Sequence, residues 1–357
     1  MIMNKDPKIL SAKTHWQGRM VSNGIPLSDF NDVINSIETW DDWCVSWSKK
    51  GEIHSKLGED AIKDGSKLTA SHHFITASVC YHFGKYLFVH KPSEMKIAHN
   101  HCVNLYKKAL PLMKIPGERV EIPFKGKLLY GNLRKPKNTH MPPLVIMVMG
   151  LDSSKEEMYH NEIVFLERGM ATLAFDGPGQ GEGEYIFPIE PEYEKPVQAV
   201  IDFVDKRKDI NLEKIGLWGV SLGGYYAPRA ASFIERLKAC VSLSGPFNFG
   251  ECFDHLPTLT SETFIYRSGS KTADEAKNNA KLMTLENCII NLKCPLYIVS
   301  GALDKVIPPE QSDKIEKKAI NSREIIHQKI SDGGHVANNR AYKYRMKTAD
   351  WMLKKLS

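Results

Sequence analysis

Lys214-Ile215-Gly216-Leu217-Trp218-Gly219-Val220-Ser221-Leu222-Gly223-Gly224 decides the fold. Its first half is an apolar run of the length of one buried strand. From Gly224 to Glu235 the spacing of Tyr225, Ala227, Ala230, Ala231, Phe233 and Ile234 predicts a helix. Strand, Gly-x-Ser-x-Gly, helix is the setting of a nucleophile elbow. The glycines are required because side chains would clash in so tight a turn, and the serine is forced into a strained backbone conformation. The other reading of the pentapeptide is a Gly-rich turn carrying an ordinary surface serine.

Working outward, the chain from about residue 119 alternates strands with helices. Arg119–Phe124 and Lys127–Leu133 read as a hairpin around Lys125-Gly126. Leu144–Met149 is continuously apolar, as a strand buried on both faces should be. Further strands are predicted at 170–175, 215–220, 239–244, 295–300 and 324–330. Helices are predicted at 155–168, 193–206, 224–235, 309–319 and 337–356, and 246–281 reads as irregular. The alternation implies a mainly parallel sheet with helices on both faces, whose ligands bind beyond the carboxyl ends of the strands.

Three side chains fall at such ends. Ser221 follows one strand, Asp304 follows Ser300-Gly301-Ala302-Leu303, and His335 follows Asp332-Gly333-Gly334. Serine, aspartate, histidine is the chain order of an α/β-hydrolase triad. The chemistry needs each type. A serine hydroxyl is a poor nucleophile until an imidazole takes its proton, and a carboxylate must fix that imidazole's tautomer and stabilise its cation. Read singly, Asp304 is a loop cap and His335 one of thirteen ordinary histidines; order and placement together favour a triad. A tetrahedral intermediate also needs anion donors. The backbone amides of Leu222 and of Leu151, in Gly150-Leu151-Asp152, are the candidates; the alternative is that Gly150 merely starts a turn.

Asp176-Gly177-Pro178-Gly179-Gln180-Gly181 lacks the Lys-Ser/Thr of a phosphate loop and the G-x-G-x-x-G spacing, which argues against nucleotide binding. It reads as a rigid turn near the pocket, either structural or reaching substrate through Gln180 or Glu182. With no HExxH and no Cys/His cluster of ligand spacing, neither a metal nor a cofactor is expected.

Residues 1–118 read as helical, with segments beginning at Phe30 (running on through Trp40, Trp43 and Trp47, capped by Ser28 and Asp29), at His54, at Lys67 and after Pro92. These four helices would form a layer of their own. A chain of 357 residues with 42% hydrophobic and 25% charged residues reads as a globular protein able to bury a sizeable core. The net charge of +6 comes from scattered lysines, so neither nucleic acid nor membrane is expected as a partner. Met1–Asp6 lacks a signal peptide's apolar core, and seven cysteines without a CxxC pair read as buried thiols, so a reducing, cytoplasmic setting is expected.

Gly150–Glu157, Arg168–Thr172, Phe175–Glu182 and Ser221-Leu222-Gly223-Gly224 together resemble one branch of the α/β-hydrolases. That branch includes 2,6-dihydroxypseudooxynicotine hydrolase and the fungal yellowish-green-type polyketide-shortening hydrolases. The resemblance covers most of the chain, including Ala77–Lys85. It implies a helical cap (1–118) over a catalytic domain (119–357), dimers in some members, and hydrolysis of a carbon–carbon bond beside a ketone. The family's Ser, Asp and His fall on Ser221, Asp304 and His335. A family carboxylate falls on Glu251, with Asp254 as rival.

The expected reaction is therefore attack by Ser221 on an acyl carbon of a small acyl or ketone substrate, with His335 as base. Tyr159, Tyr81, His73, His72 and His82 are candidates for shaping the pocket, although structural roles on the cap helices suit the histidines better. Ester, thioester or amide hydrolysis, acyl transfer, and a non-catalytic binding module on the same scaffold are the competing readings.

Overall fold

The computed structural model describes residues 5–137 and 139–357; the first four residues of the Met1–Asp6 stretch lie outside the described residues. The helical part comprises α1 (Pro7–Ser22), α2 (Leu27–Ser36), α3 (Trp43–Lys63), α4 (Lys67–Lys85) and α5 (Pro92–Ala109). Two corrections to the sequence reading follow. A helix, α1, precedes the four expected. Asp6 caps it by accepting from the Lys8 amide, Pro7 sits in its first turn, and Ile9, Ala12, Trp16 and Met20 are its buried stripe. Second, the segments through Trp47 and from His54 are one helix. Gly51 and Gly58 do not break α3 but seat α4 against it. A Cβ on Gly51 would lie 2.5 Å from the Tyr81 ring, and one on Gly58 2.5 Å from the Phe74 ring. Trp40 belongs to a separate short turn, where the Thr39 amide and hydroxyl both donate to Asp42, at 3.1 and 2.9 Å. Asp29 is no cap; it accepts from Lys50 and pairs with His54.

The chain then builds an eight-stranded sheet. In chain order its elements are β1 (Gly117–Phe124), β2 (Lys127–Arg134), β3 (Pro143–Val148), α6 (Tyr159–Leu166), β4 (Ala171–Asp176), α7 (Glu194–Val204), β5 (Asn211–Val220), α8 (Leu222–Phe233), β6 (Leu237–Leu243), α9 (Phe249–Cys252), α10 (Thr258–Arg267), α11 (Ala273–Lys281), β7 (Leu296–Gly301), α12 (Pro309–Lys318), β8 (Ile325–Ile330) and α13 (Arg345–Leu356). The sheet order is β1-β2-β4-β3-β5-β6-β7-β8. The β1/β2 hairpin joins β4 antiparallel, and every later pairing is parallel. This is an α/β-hydrolase sheet, with β5 and its elbow at the centre.

The sheet separates two apolar clusters. One, holding Ile146, Leu217, Tyr225 and Ala227, lies under α7 and α8. The other, holding Met147, Trp218, Val241 and Trp351, lies under α6 and α13. Ile146/Met147 and Leu217/Trp218 show the alternation that sends neighbouring side chains to opposite faces. A third cluster fills the helical part and takes in Leu259 of α10. The segment 246–281, expected to be irregular, carries α9, α10 and α11 and packs against both parts. The predicted helix 337–356 is two pieces: a 3₁₀ segment over His335–Lys343, where Val336 and Ala337 have positive φ, and α13. All seven cysteines are buried and unpaired. Among the described residues no helix is long and apolar enough to cross a membrane.

Candidate active site

Ser221 sits between β5 and α8 with φ 57° and ψ −121°, a conformation held only because its surroundings dictate it. Its amide donates to Leu243 O at 2.8 Å, and its own carbonyl accepts from Gly224 N at 2.7 Å. The elbow glycines are fixed by backbone contacts. A Cβ on Gly219 would lie 2.0 Å from Gly223 O, one on Gly223 2.3 Å from Val148 O, and one on Gly224 2.7 Å from Gly245 Cα. The turn therefore packs against β3 and β6 with nothing between.

Asp304 and His335 converge on this serine from the ends of β7 and β8. His335 Nε2 is 2.8 Å from Ser221 Oγ, and His335 Nδ1 is 2.8 Å from Asp304 Oδ2. The other Asp304 oxygen accepts from the amides of Val306 and Ile307, each at 2.9 Å, so the carboxylate cannot turn away from the imidazole. The histidine loop is braced as well. Leu303 N donates to Gly333 O at 2.8 Å, and Val336 N donates to Ser244 Oγ at 3.2 Å. Gly301 lets the two loops touch, since a Cβ there would lie 2.1 Å from Gly334 O.

On the opposite side of Ser221 runs Gly150-Leu151-Asp152. A Cβ on Gly150 would lie 3.1 Å from Ser221 Cβ, so this backbone passes directly beside the nucleophile. Leu222 opens α8, and its amide is one of the first-turn donors that a helix leaves without an intrahelical partner. The Leu151 carbonyl accepts from Arg267 Nη1 at 2.5 Å.

α1 roofs the site and supplies what sequence reasoning missed. Arg19, nearly fully buried, donates through Nε and Nη2 to the two oxygens of Glu157, each at 2.7 Å, and through Nη1 to Asp152 Oδ1 at 2.7 Å. Burial opposes the Arg19 charge, but Asp152 and Glu157 outweigh it and hold the guanidinium well above its ordinary range. Burial likewise opposes Glu157 ionisation, and Arg19 overrides it, driving the carboxyl far below the usual value. Buried His82 donates through Nε2 to Glu157 at 3.0 Å and accepts at Nδ1 from the Ser154 hydroxyl at 3.2 Å; burial lowers its pKa more than Glu157 raises it, so it is held neutral. His15 on α1 is lowered by burial, then by Lys305 and His335. A cavity of about 20 Å³ lies beside Ser221, lined by Arg19, Asn23, Glu157, Asn161, Trp218 and His335 among others. Larger hollows of about 450 and 620 Å³ lie at the protein surface, and neither contains any of the three residues. The signal for α1 was present in Asp6-Pro7 and the spacing of its apolar stripe.

None of Glu251, Asp254, Tyr159, Tyr81, His73, His72 and His82 lines the cavity beside Ser221. Glu251 accepts from Gln311 at 2.7 Å and from Lys314 at 2.5 Å. Asp254 is exposed and paired with Lys277 at 2.6 Å. Tyr81 fills the notch at Gly51 and stacks on His101, their rings 4.8 Å apart. His73 faces His54 at 3.4 Å, and Tyr159 packs under Arg134 with 5.0 Å from guanidinium to ring centre. His72 lies edge-on to Tyr159. Glu251 and Asp254 are thus satisfied by α12 and α11, and the others by neighbours within the helical part or at its seam with the sheet. The acidic trio Glu156, Asp176 and Glu182 comes close enough to hold an ion, but it encloses the Lys155 ammonium, at 2.6, 2.7 and 2.7 Å. A second trio, Asp313, Glu316 and His327, lies at the surface with Lys329 on Asp313.

Comparison with known proteins agrees with this architecture. The chain is 32% identical over 342 residues to 2,6-dihydropseudooxynicotine hydrolase of Paenarthrobacter nicotinovorans, covering 95% of this chain and 90% of that protein. The crystal structure of 2,6-dihydroxy-pseudo-oxynicotine hydrolase superimposes with a TM-score of 0.87 over 95% of both chains. The alpha/beta hydrolase pydG of an Acremonium species is 30% identical over 266 residues, a match that spans 68% of this chain and 61% of that protein. The Esterase FrsA-like family matches residues 28–357, the whole sheet and most of the helical cap. The chain is a hydrolase of the α/β-hydrolase fold and belongs to the FrsA-like esterase family.

Proposed function

We propose that the chain hydrolyses a carbon–carbon bond beside a ketone in a small β-dicarbonyl or acyl-phenol substrate, with Ser221 as nucleophile. The observation that carries the serine chemistry is the relay from Ser221 Oγ through His335 to Asp304, with both contacts at 2.8 Å. Ser221 Oγ adds to the ketone carbon while His335 Nε2 takes its proton, and Asp304 stabilises the imidazolium. The amides of Leu222 and Leu151 receive the oxyanion. Collapse breaks the carbon–carbon bond; the electron pair leaves on carbon as an enolate, and His335 returns the proton to it. Water, deprotonated by His335, then releases the acyl group from Ser221.

A carbon leaving group needs electronic stabilisation that an ester oxygen does not. The triad is indifferent to this difference. Support for the carbon–carbon reading is the likeness over 95% of the chain to a hydrolase of a pseudooxynicotine. Ester hydrolysis is the second reading, favoured by the esterase family that matches. The discriminating experiment assays ester, thioester and β-diketone panels beside Ser221→Ala. Diketone cleavage that disappears in Ser221→Ala is expected. Ester turnover without cleavage of any diketone would replace the leading reading with the second. A folded protein that no fluorophosphonate labels would leave a binding module.

A further inference from the structure

The turn Asp176–Gly181 takes no direct part in the chemistry above, and Gln180 within it is 1% exposed. We infer that Gln180 is a positioning residue that aims the Leu151 amide at the developing oxyanion. The inference rests on the serine reading above and goes beyond it.

All four hydrogen-bonding positions of this side chain are used. Oε1 accepts from Gly177 N at 3.1 Å and from the Tyr193 hydroxyl at 2.5 Å. Nε2 donates to Met149 O at 2.6 Å and Gly150 O at 3.1 Å. The partners admit one orientation of the amide, because two carbonyls can only accept and a backbone N–H can only donate. Successive carbonyls of a strand point to opposite sides. One Nε2 reaching both Met149 O and Gly150 O marks where the chain turns out of β3, and it ties that turn down.

The consequence lies in the Gly150–Leu151 peptide. A trans peptide is planar, with its C=O and N–H antiparallel. Gln180 holds the Gly150 carbonyl end, so the Leu151 N–H is held pointing the other way. Gly150 is the residue that lies against Ser221, its notional Cβ 3.1 Å from Ser221 Cβ. Arg267 fixes the next peptide through Leu151 O. The anchor of Gln180 is itself tied to the nucleophile. Tyr193 stacks on Tyr226 of α8 with ring centres 3.8 Å apart and planes 14° apart. Gly177 leaves room for this arrangement, since a Cβ there would lie 2.0 Å from the Tyr193 oxygen. The helix behind Ser221 and the loop beside it are thus registered to each other through Tyr226, Tyr193 and Gln180.

The test compares two ketones as inhibitors of the full-length protein. Phenyl trifluoromethyl ketone forms a tetrahedral adduct with the serine and fills the anion site; acetophenone binds without forming one. Gln180→Glu keeps shape but replaces the donor with an acceptor facing two carbonyls. Gln180→Met is the second variant, apolar and of similar length. Both are expected to lose about tenfold to hundredfold in trifluoromethyl ketone affinity and in fluorophosphonate labelling rate, with acetophenone affinity unchanged. Tyr193→Phe removes one partner of Oε1 and leaves the donor, and is expected to lower Tm and to shift the ratio of the two affinities less than either Gln180 variant does. Equal loss for both ketones, no loss for either, or a shift in Tyr193→Phe as large as in Gln180→Glu would overturn the inference. Failure of the underlying reading looks different: labelling and adduct formation would then survive Ser221→Ala, or be absent from the unsubstituted protein.

Discussion

Arg19 and Glu157, 138 residues apart in the chain, meet in two parallel hydrogen bonds of 2.7 Å inside the protein. This fork joins α1 to the segment that follows the oxyanion loop, and Asp152 accepts from the same guanidinium. Replacing Arg19 by Met strands two carboxylates in a buried site. The expected loss is about 3–5 kcal/mol of folding stability, measured by denaturant unfolding, with Arg19→Lys losing less because charge survives while the planar fork does not. Glu157 is held below its unfolded value, so its contribution is complete above the ordinary glutamate range and fades as pH falls through the lower folded value.

The three side chains at the strand ends carry a sharper expectation. Ser221→Ala and His335→Ala should each reduce kcat by a thousandfold or more while Tm stays near that of the parent. Near-normal turnover in either variant would remove the triad assignment.

How much of this was legible in the sequence follows from how local each constraint is. The elbow could be read because Gly219, Gly223 and Gly224 answer to backbone contacts within a few residues and across neighbouring strands. Asp304 and His335 could be read because parallel strands deliver their ends to one edge. α1 escaped because the face it buries carries Arg19, which periodicity scores as a gap. The segments through Trp47 and from His54 were read as two because Ser48-Lys49-Lys50-Gly51-Glu52 between them is polar, whereas Gly51 there seats the Tyr81 ring of a distant helix. The helices within 246–281 were missed because α9 is four residues long and α11 is largely polar. Glu251 rested on resemblance alone, and its contacts with Gln311 and Lys314 come from α12, distant in sequence.

Glycine substitutions separate the two kinds of contact at the elbow. Gly223→Ala would drive a methyl against Val148 O, 2.3 Å from where it must sit, and Gly245→Ala against the Gly224 carbonyl carbon at 2.2 Å. Neither backbone can yield, so both variants are expected to lose several kcal/mol or to be recovered only as aggregate, as solubility and thermal unfolding will show; about 3 kcal/mol is a floor in line with other strongly disruptive substitutions. Gly150→Ala meets its neighbours at 3.0 and 3.1 Å, a milder clash. It should fold, and its kcat should fall by at least tenfold because the loop is pushed off Ser221.

His99 offers a stability test away from the site. It is buried at 1% exposure against Tyr185, with both ring nitrogens unpartnered, and burial, followed by the charges of Lys85 and Lys155, holds its pKa well below the ordinary value. The unfolded chain therefore binds a proton below about pH 6.5 that the folded chain refuses, and stability falls as pH drops through that range. His99→Phe keeps the ring and removes both orphaned nitrogens. It should raise stability by about 1–3 kcal/mol near neutrality, and by more at pH 5. Burial also raises the carboxyls of Glu156 and Glu162, which favours the folded state on the acid side, so the difference between variant and parent across pH, rather than either curve alone, is the quantity to measure.

The chamber beside Ser221, at about 20 Å³, is scarcely larger than one water molecule. This is little room for an acyl substrate, and α1 rests close on the histidine loop, with Gly18 packed on Asn339 so that a methyl would lie 3.0 Å from its backbone. Admission of substrate is therefore expected to require α1 to shift away from the histidine loop, and added viscogen is then expected to slow the full cycle more than it slows the acylation of an already admitted molecule.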